Sequence, residues 1–348
     1  MAVSGRPEAL QAFVTKVFVQ LGMPQEDAAW SAGTLVQAEL RGVTSHGIIR
    51  LPAYVRRLEA GMFNPRPEIR TLKDAGALAL LDGDNGMGQI VSKRAMEDCI
   101  ARSKTHNVGI VFVKNSNHFG MASTYACLAA DCGMVGFCTS NTGSIMAPFG
   151  GRKRILGNNP IAVAIPGNPP IVVDMALSTV ARGYLIQAAR AKQSIPEGWG
   201  LDAEGRSTTD PNAVLGGGSL VPIAGYKGSG LSIAIDAVLG AFAGGGHSHE
   251  ILDFDDFSGP SRVPHLFAAI RIEALVSLEE FRAAVNVFCD LLRATPRAGG
   301  VERIWMPGEI EQERERERRR EGIPLSAERL GELTELAERL KLPPLEAV

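Results

Sequence analysis

Net charge is nearly absent from this sequence: 36 Lys and Arg stand against 38 Asp and Glu over 348 residues, leaving -2 at pH 7. No overall field remains to hold nucleic acid or an anionic membrane, so neither is expected as a partner. Cysteine is scarce as well, with five residues, an odd number, and no Cys-x-x-Cys pair. That excludes a disulfide framework and reads as buried free thiols in a reducing cytoplasm. No apolar stretch approaches the roughly 20 residues of a membrane-spanning helix, and no charged segment followed by an apolar signal core opens the chain. Metal-ligand spacing is missing too, since His247 and His249 stand in a glycine-rich loop that matches no zinc pattern, and no metal is expected. What these absences leave is a cytoplasmic protein that handles a small molecule.

What is present is a chain long enough for two domains, with 45% hydrophobic residues to fill their cores. The first 75 residues read as helical. Leu10, Phe13, Val14, Val17, Phe18 and Leu21 repeat at helical spacing, a second helix is expected from about Pro24 to Leu40, and a third carries Leu51, Tyr54, Val55 and Leu58. From Ala77 the pattern changes to short apolar runs alternating with helical stretches, which indicates an α/β sheet. Candidate strands are Leu78–Leu81, Val108–Val113, Met134–Thr139, Ile161–Ile165, Ile171–Val173 and His265–Ile272. Three of them run into polar loops at Asn115-Ser116-Asn117-His118, Ser140-Asn141-Thr142 and Asp174-Met175, and loops at the carboxyl ends of strands tend to line one crevice. The tail from Glu311 to Glu321 carries five acids and five bases that cancel, as in a solvated helix laced by i,i+4 pairs.

The Gly-x-Gly-x-x-Gly fingerprint of a dinucleotide fold does not occur after a strand; Asp82-Gly83-Asp84-Asn85-Gly86-Met87-Gly88 has the setting but not the spacing. The densest chemical constellation is Ser45-His46-Gly47-Ile48-Ile49-Arg50, placed at the start of the third helix, where His46 and Arg50 share a face. An imidazole can protonate a developing alkoxide near neutral pH, and a guanidinium one turn away can grip a carboxylate bidentately. The same spacing fits an N-capped helix start with two ordinary surface side chains. His118 is either a second chemical group or a histidine satisfying backbone in a buried loop. Tyr226-Lys227-Gly228-Ser229-Gly230 precedes a helix expected over Leu231 to Phe242, which fits a phosphate contact or a surface turn.

Taken together, these segments resemble the malate/L-lactate dehydrogenase family. The resemblance is carried by Ser45-His46-Gly47 with Arg50, Asn115 to Gly120, Met146 to Gly151, Asn159 to Ala162, Val173 to Ala176, Ile195 to Trp199, Thr208 to Pro211, Gly225 to Gly228 and Pro307-Gly308-Glu309. It runs over nearly the whole chain. Asn158, Leu177 and Tyr184 depart from the usual residues beside the expected pocket. The resemblance implies a non-Rossmann NAD(P)-binding α/β domain, set at residues 76–276. A helical domain built from both chain ends, 1–75 with 277–348, completes the chain, which is expected to form a homodimer.

By the same resemblance, His46 is the proton donor, with Ser45, Arg50 and His118 beside the substrate, and in some members the residue matching His118 is the acid. Asn141, Asp174, Met175, Ala176, Lys227, Gly228, Pro307, Gly308 and Glu309 are the implied cofactor contacts, for NAD or NADP. The implied reaction interconverts a small 2-oxo acid and a 2-hydroxy acid by hydride transfer. Reduction of a cyclic imino acid and a non-catalytic scaffold with this fold are the alternatives.

Overall fold

The computed structural model describes residues 3–254 and 256–345. Its helices are α1 (Pro7–Gln20), α2 (Gln25–Leu40), α3 (Leu51–Glu59), α4 (Gly88–His106), α5 (Ser123–Asp131), α6 (Arg182–Arg190), α7 (Pro211–Leu215), α8 (Tyr226–Ala243), α9 (Leu278–Arg293), α10 (Glu309–Glu321) and α11 (Ala327–Leu340). The strands are β1 (Val3–Gly5), β2 (Arg70–Ala75), β3 (Leu78–Asp82), β4 (Val108–Ser116), β5 (Met134–Ser140), β6 (Ile161–Ile165), β7 (Ile171–Met175), β8 (Gly200–Leu201), β9 (Ser207–Thr208), β10 (Ser219–Leu220), β11 (Val263–Arg271) and β12 (Ile323–Leu325).

Seven strands form the central sheet in the order β2-β3-β4-β11-β5-β6-β7. Only β3 and β4, joined through α4, are parallel neighbours; every other pairing is antiparallel. Because β11 runs against both β4 and β5, and β6 runs against both β5 and β7, the strands β3, β4, β5 and β7 all point the same way. Their carboxyl ends therefore share one edge of the sheet, and β11 starts there.

Period-2 alternation splits the strands between two faces. Val111 and Val113 of β4 pack with Met96 and Cys99 of α4 and with Tyr125 and Ala126 of α5, while Phe112 between them packs with Ile235 and Leu239 of α8. Gly136 is required where α5 lies on β5: a Cβ there would sit 2.1 Å from the Ala126 carbonyl oxygen. A separate core joins α1, α2 and α3 to residues from the far end of the chain, with Leu10, Phe18, Leu35 and Tyr54 beside Ile323, Leu333 and Leu336. The strand pair β1–β12 ties the two ends together.

Three expectations change. The first 75 residues are not all helical, because Arg70–Ala75 is an edge strand whose six residues are all exposed and so carry no alternation to read. The segment from Thr44 to Arg50 is not an α-helix but two 3₁₀ turns, Thr44–His46 and Ile48–Arg50, separated by Gly47 in an extended conformation (ψ -145°). Tyr226 and Lys227 do not precede their helix but begin it, after Gly225 at φ 63° has turned the chain. The thiols are unpaired as expected, although Cys132 is exposed. Among the described residues no helix is long and apolar enough to cross a membrane, and no cluster of His, Cys, Asp and Glu is arranged to hold a metal ion.

Candidate active site

A cleft of about 1510 Å³ opens at the edge where the strand ends gather. All three polar loops singled out in the sequence line it, through His118, Asn141 and Thr142, and Asp174 to Ala176. The opposite wall is built by the Ser45-His46 turn with Arg50, by the start of α6, by residues 251–254, and by Pro307-Gly308 before α10. Lys227, Gly228 and Glu309 do not line it.

The turn carrying His46 is held by a residue with no obvious chemical signature in the sequence. Glu39, buried at the end of α2, accepts the Ile48 N–H at 2.9 Å. Its carboxylate packs so closely on Gly47 that a Cβ there would come within 2.2 Å of Oε1. Burial raises the Glu39 pKa, and the Ile48 N–H and the nearby Arg318 oppose that rise. Arg50 does not stand one helical turn above His46; its Nε donates 2.7 Å to the carbonyl of Ser45, and its guanidinium lies 5.9 Å from the centre of the Phe254 ring. No carboxylate among the described residues pairs with it, so its outer nitrogens are left for a ligand.

His46 and His118, far apart in sequence, face each other with near-parallel rings 5.7 Å apart. His46 Nδ1 lies 2.9 Å from the Ser45 hydroxyl, and His118 Nδ1 lies 2.7 Å from the phenol oxygen of Tyr54. Burial and then the charge of Arg50 lower the pKa of His46 to about 4, and the same two causes, with His46 and His265 behind them, hold His118 well below the usual histidine range. Both shifts favour the neutral ring at neutral pH. A carboxylate bound at Arg50 would offset its charge and move both values up.

The loop before His118 is anchored by His265 of β11, which is fully buried, bonds Ser140 and Ser116 through its two ring nitrogens, and stacks on Phe119. Sequence reading took His265 only for the start of a strand. It also missed Phe254, whose edge meets both His118 and Tyr54, and Arg57, which donates from α3 to the carbonyls of Phe254 and Asp256 and to the Ser261 hydroxyl. Its place three residues after Tyr54, on the apolar side of the third helix, was the available signal for Arg57. Across the mouth, Arg182 at the start of α6 pairs with Asp253 at 2.9 Å, and a Cβ on Gly183 would lie 3.7 Å from that of Ser45.

On the cofactor side, Asp174 caps α5 by accepting the Ser123 N–H at 2.7 Å. Asn141 is fully buried, and both hydrogens of its amide nitrogen are committed, one to the Asp236 carboxylate at 2.7 Å and one to the Gly246 carbonyl at 2.8 Å. Its Oδ1 has no partner among the described residues. A buried acceptor fixed in this way calls for an N–H or O–H donor from a ligand. The carboxamide of a nicotinamide ring is such a donor.

Known proteins resemble the chain in sequence and in fold. Residues 6–334 match the profile of the malate/L-lactate dehydrogenase family. The chain is 39% identical to a malate dehydrogenase of Pyrococcus horikoshii over 96% of its own length and 94% of that protein's. It is 40% identical to an L-sulfolactate dehydrogenase of Methanocaldococcus jannaschii over 97% of each. The solved structure of the sulfolactate dehydrogenase from Methanocaldococcus jannaschii superposes with a TM-score of 0.92, covering 98% of both chains at 39% identity.

Proposed function

The chain belongs to the malate/L-lactate dehydrogenase family, and from that premise we propose that it is a nicotinamide-dependent oxidoreductase interconverting a small 2-oxo acid and the matching 2-hydroxy acid. The observation that carries the reading is the meeting, in one cleft, of two facing histidines with a guanidinium that has no carboxylate partner among the described residues. Arg50 binds the substrate carboxylate, and a histidine of the pair gives a proton to the substrate oxygen as the carbonyl is reduced. The carboxylate also prepares the acid, because neutralising Arg50 lifts the histidine pKa values toward the working pH.

A nicotinamide cofactor, when bound, supplies or accepts the hydride. The free Oδ1 of Asn141 suits its carboxamide, and Asp174, Met175, Ala176, Pro307 and Gly308 border the same cleft. Gly308, at φ 90°, keeps the backbone close to Val172, where a Cβ would come within 2.9 Å. Absorbance at 340 nm, followed with NADH and NADPH in turn against 2-oxo acids and cyclic imino acids, is expected to report oxidation with a 2-oxo acid. Turnover of cyclic imino acids alone would replace this substrate class, and no turnover together with no cofactor-induced rise in melting temperature would return the scaffold reading.

The homodimer rests on α8. One side of this helix lies on the sheet through Ile235, Leu239 and Phe242, whose ring stacks on Phe112; past the first turn, which carries Lys227, the rest exposes Leu231, Ile233, Ala234, Ala237, Val238 and Ala241 without one charge among them. An apolar helix face of this kind on an otherwise mixed surface marks an association site, and a second copy of the chain is the proposed occupant. Light scattering is expected to give twice the chain mass, and Ile233→Glu with Val238→Glu to halve it; a wild-type monomer at micromolar concentration would remove the proposal.

A further inference from the structure

Behind His118 lies a short chain of polar groups to which neither the family resemblance nor the reaction assigns a role. Tyr54, fully buried in α3, has its phenol oxygen 2.7 Å from His118 Nδ1. Gln89, fully buried in the first turn of α4, donates from Nε2 to the same oxygen at 2.9 Å. The elements are held in place around it: the Trp30 indole donates to the Gln89 carbonyl, and the Tyr54 ring packs on Phe63 and Phe254. The remaining amide atom, Gln89 Oε1, is buried and has no partner among the described residues.

A phenol has one hydrogen to give. With Gln89 donating to it and no other acceptor bonded to its hydrogen among the described residues, Tyr54 donates onward to Nδ1, which places the proton of neutral His118 on Nε2. In that polarity the ring offers Nε2–H as a hydrogen bond but cannot release it, because release would leave an imidazolate. Proton transfer at Nε2 needs the opposite polarity, with Nδ1–H donating to Tyr54 and Tyr54 donating to an acceptor behind it. Among the described residues the acceptor within reach is Gln89 Oε1, brought to the phenol by a half-turn of the amide. In the turned state Nε2 alternates between a lone pair and N–H⁺, taking a proton from water in the cleft and passing it to the substrate oxygen, so the proton count closes on each cycle. His46 has only its neighbour's hydroxyl at Nδ1.

We propose that Gln89 and Tyr54 are positioning residues that set the tautomer of His118, and that the turn of the Gln89 amide commits Nε2 to proton transfer. The inference rests on the reading that His118 exchanges a proton with the substrate. The charged and titratable groups facing this ring are Arg50 and His46 from the two 3₁₀ turns, Tyr54 from α3 and His265 from β11, and none of them is changed by substitution at position 89.

Two substitutions push the chain in opposite directions. Gln89→Glu, as the carboxylate, supplies an acceptor only, holds the turned polarity, and is expected to keep kcat within a few-fold while raising the pKa of His118 by about one unit. Gln89→Met removes the acceptor and is expected to lower kcat about 10- to 100-fold with cofactor affinity unchanged, and to lower that pKa. Titration of ¹⁵N-labelled histidine by NMR reads the tautomer and pKa in the whole protein with or without turnover, and the kcat pH profile reads them in the reaction. Tyr54→Phe should abolish the difference between the two Gln89 variants. Equal losses of kcat in both, or a His118 titration that moves in neither, would overturn the assignment and leave Gln89 a packing residue. If the opposite NMR shifts appear but no 2-oxo acid turns over, the polarity chain stands and the proposed reaction fails.

Discussion

His118→Ala is expected to lower kcat by about 10²- to 10⁴-fold while the affinity for the cofactor stays near that of the native protein, because in the proposed reaction the lost group acts on the proton in the transition state. The neighbouring ring complicates the comparison in an informative way. His46 lies 5.7 Å away, shares the influence of Arg50, and would take up any proton in competition with His118. His46→Ala is therefore expected to cost less in kcat. The double variant should be scarcely worse than His118→Ala, since residues that act as a unit do not add. Single-turnover absorbance at 340 nm with saturating 2-oxo acid measures the step directly. If His118→Ala turns over within threefold of the native protein and His46→Ala does not, the donor is His46, the residue named by the family resemblance.

The second large effect is expected at Arg50. Replacing it with methionine keeps most of the aliphatic stem but removes the only guanidinium lining the cleft among the described residues that is anchored on the His46 turn, through the Ser45 carbonyl. A charge-assisted bond to a carboxylate contributes roughly 1.5–3 kcal/mol, so kcat/KM should fall by about 10- to 100-fold, chiefly through KM for the 2-oxo acid. Lysine should restore little, since it offers a point charge where a planar fork is needed. The pH dependence gives an independent check. Arg50 lowers the pKa of both histidines, so its removal should move their titration upward, toward the ordinary histidine value. An unchanged KM together with an unchanged pH profile would show that Arg50 touches neither the substrate nor the acid.

Much of this frame was legible in the chain. Strands such as Ile161–Ile165 and helices such as Pro7–Gln20 follow from periodicity, because a buried face must repeat with the geometry of its element. That three polar loops would line one crevice also followed, once the strands feeding them were taken to point the same way. Where periodicity failed there was no buried face to impose it: Arg70–Ala75 is exposed along its whole length, and the turns at Thr44 to Arg50 are shaped by Gly47 packing on the Glu39 carboxylate rather than by any repeat.

The sequence by itself determined the chemistry on offer: two histidines, an arginine and an asparagine in loops, no dinucleotide fingerprint, no metal-ligand spacing, and a family pattern spread over the whole length. Tertiary structure alone decided how those groups meet. It stacked His46 on His118 across a gap of more than seventy residues, turned Arg50 back onto Ser45 instead of along a helix, and spent both amide hydrogens of Asn141, leaving its buried oxygen without a partner among the described residues. It also took Tyr54 and Gln89, read as a core residue and not singled out at all, and set them behind His118. The physical reason is that periodicity reports which face of an element is buried, whereas a hydrogen-bond partner is chosen by distance and direction in three dimensions, and those depend on how separate elements pack.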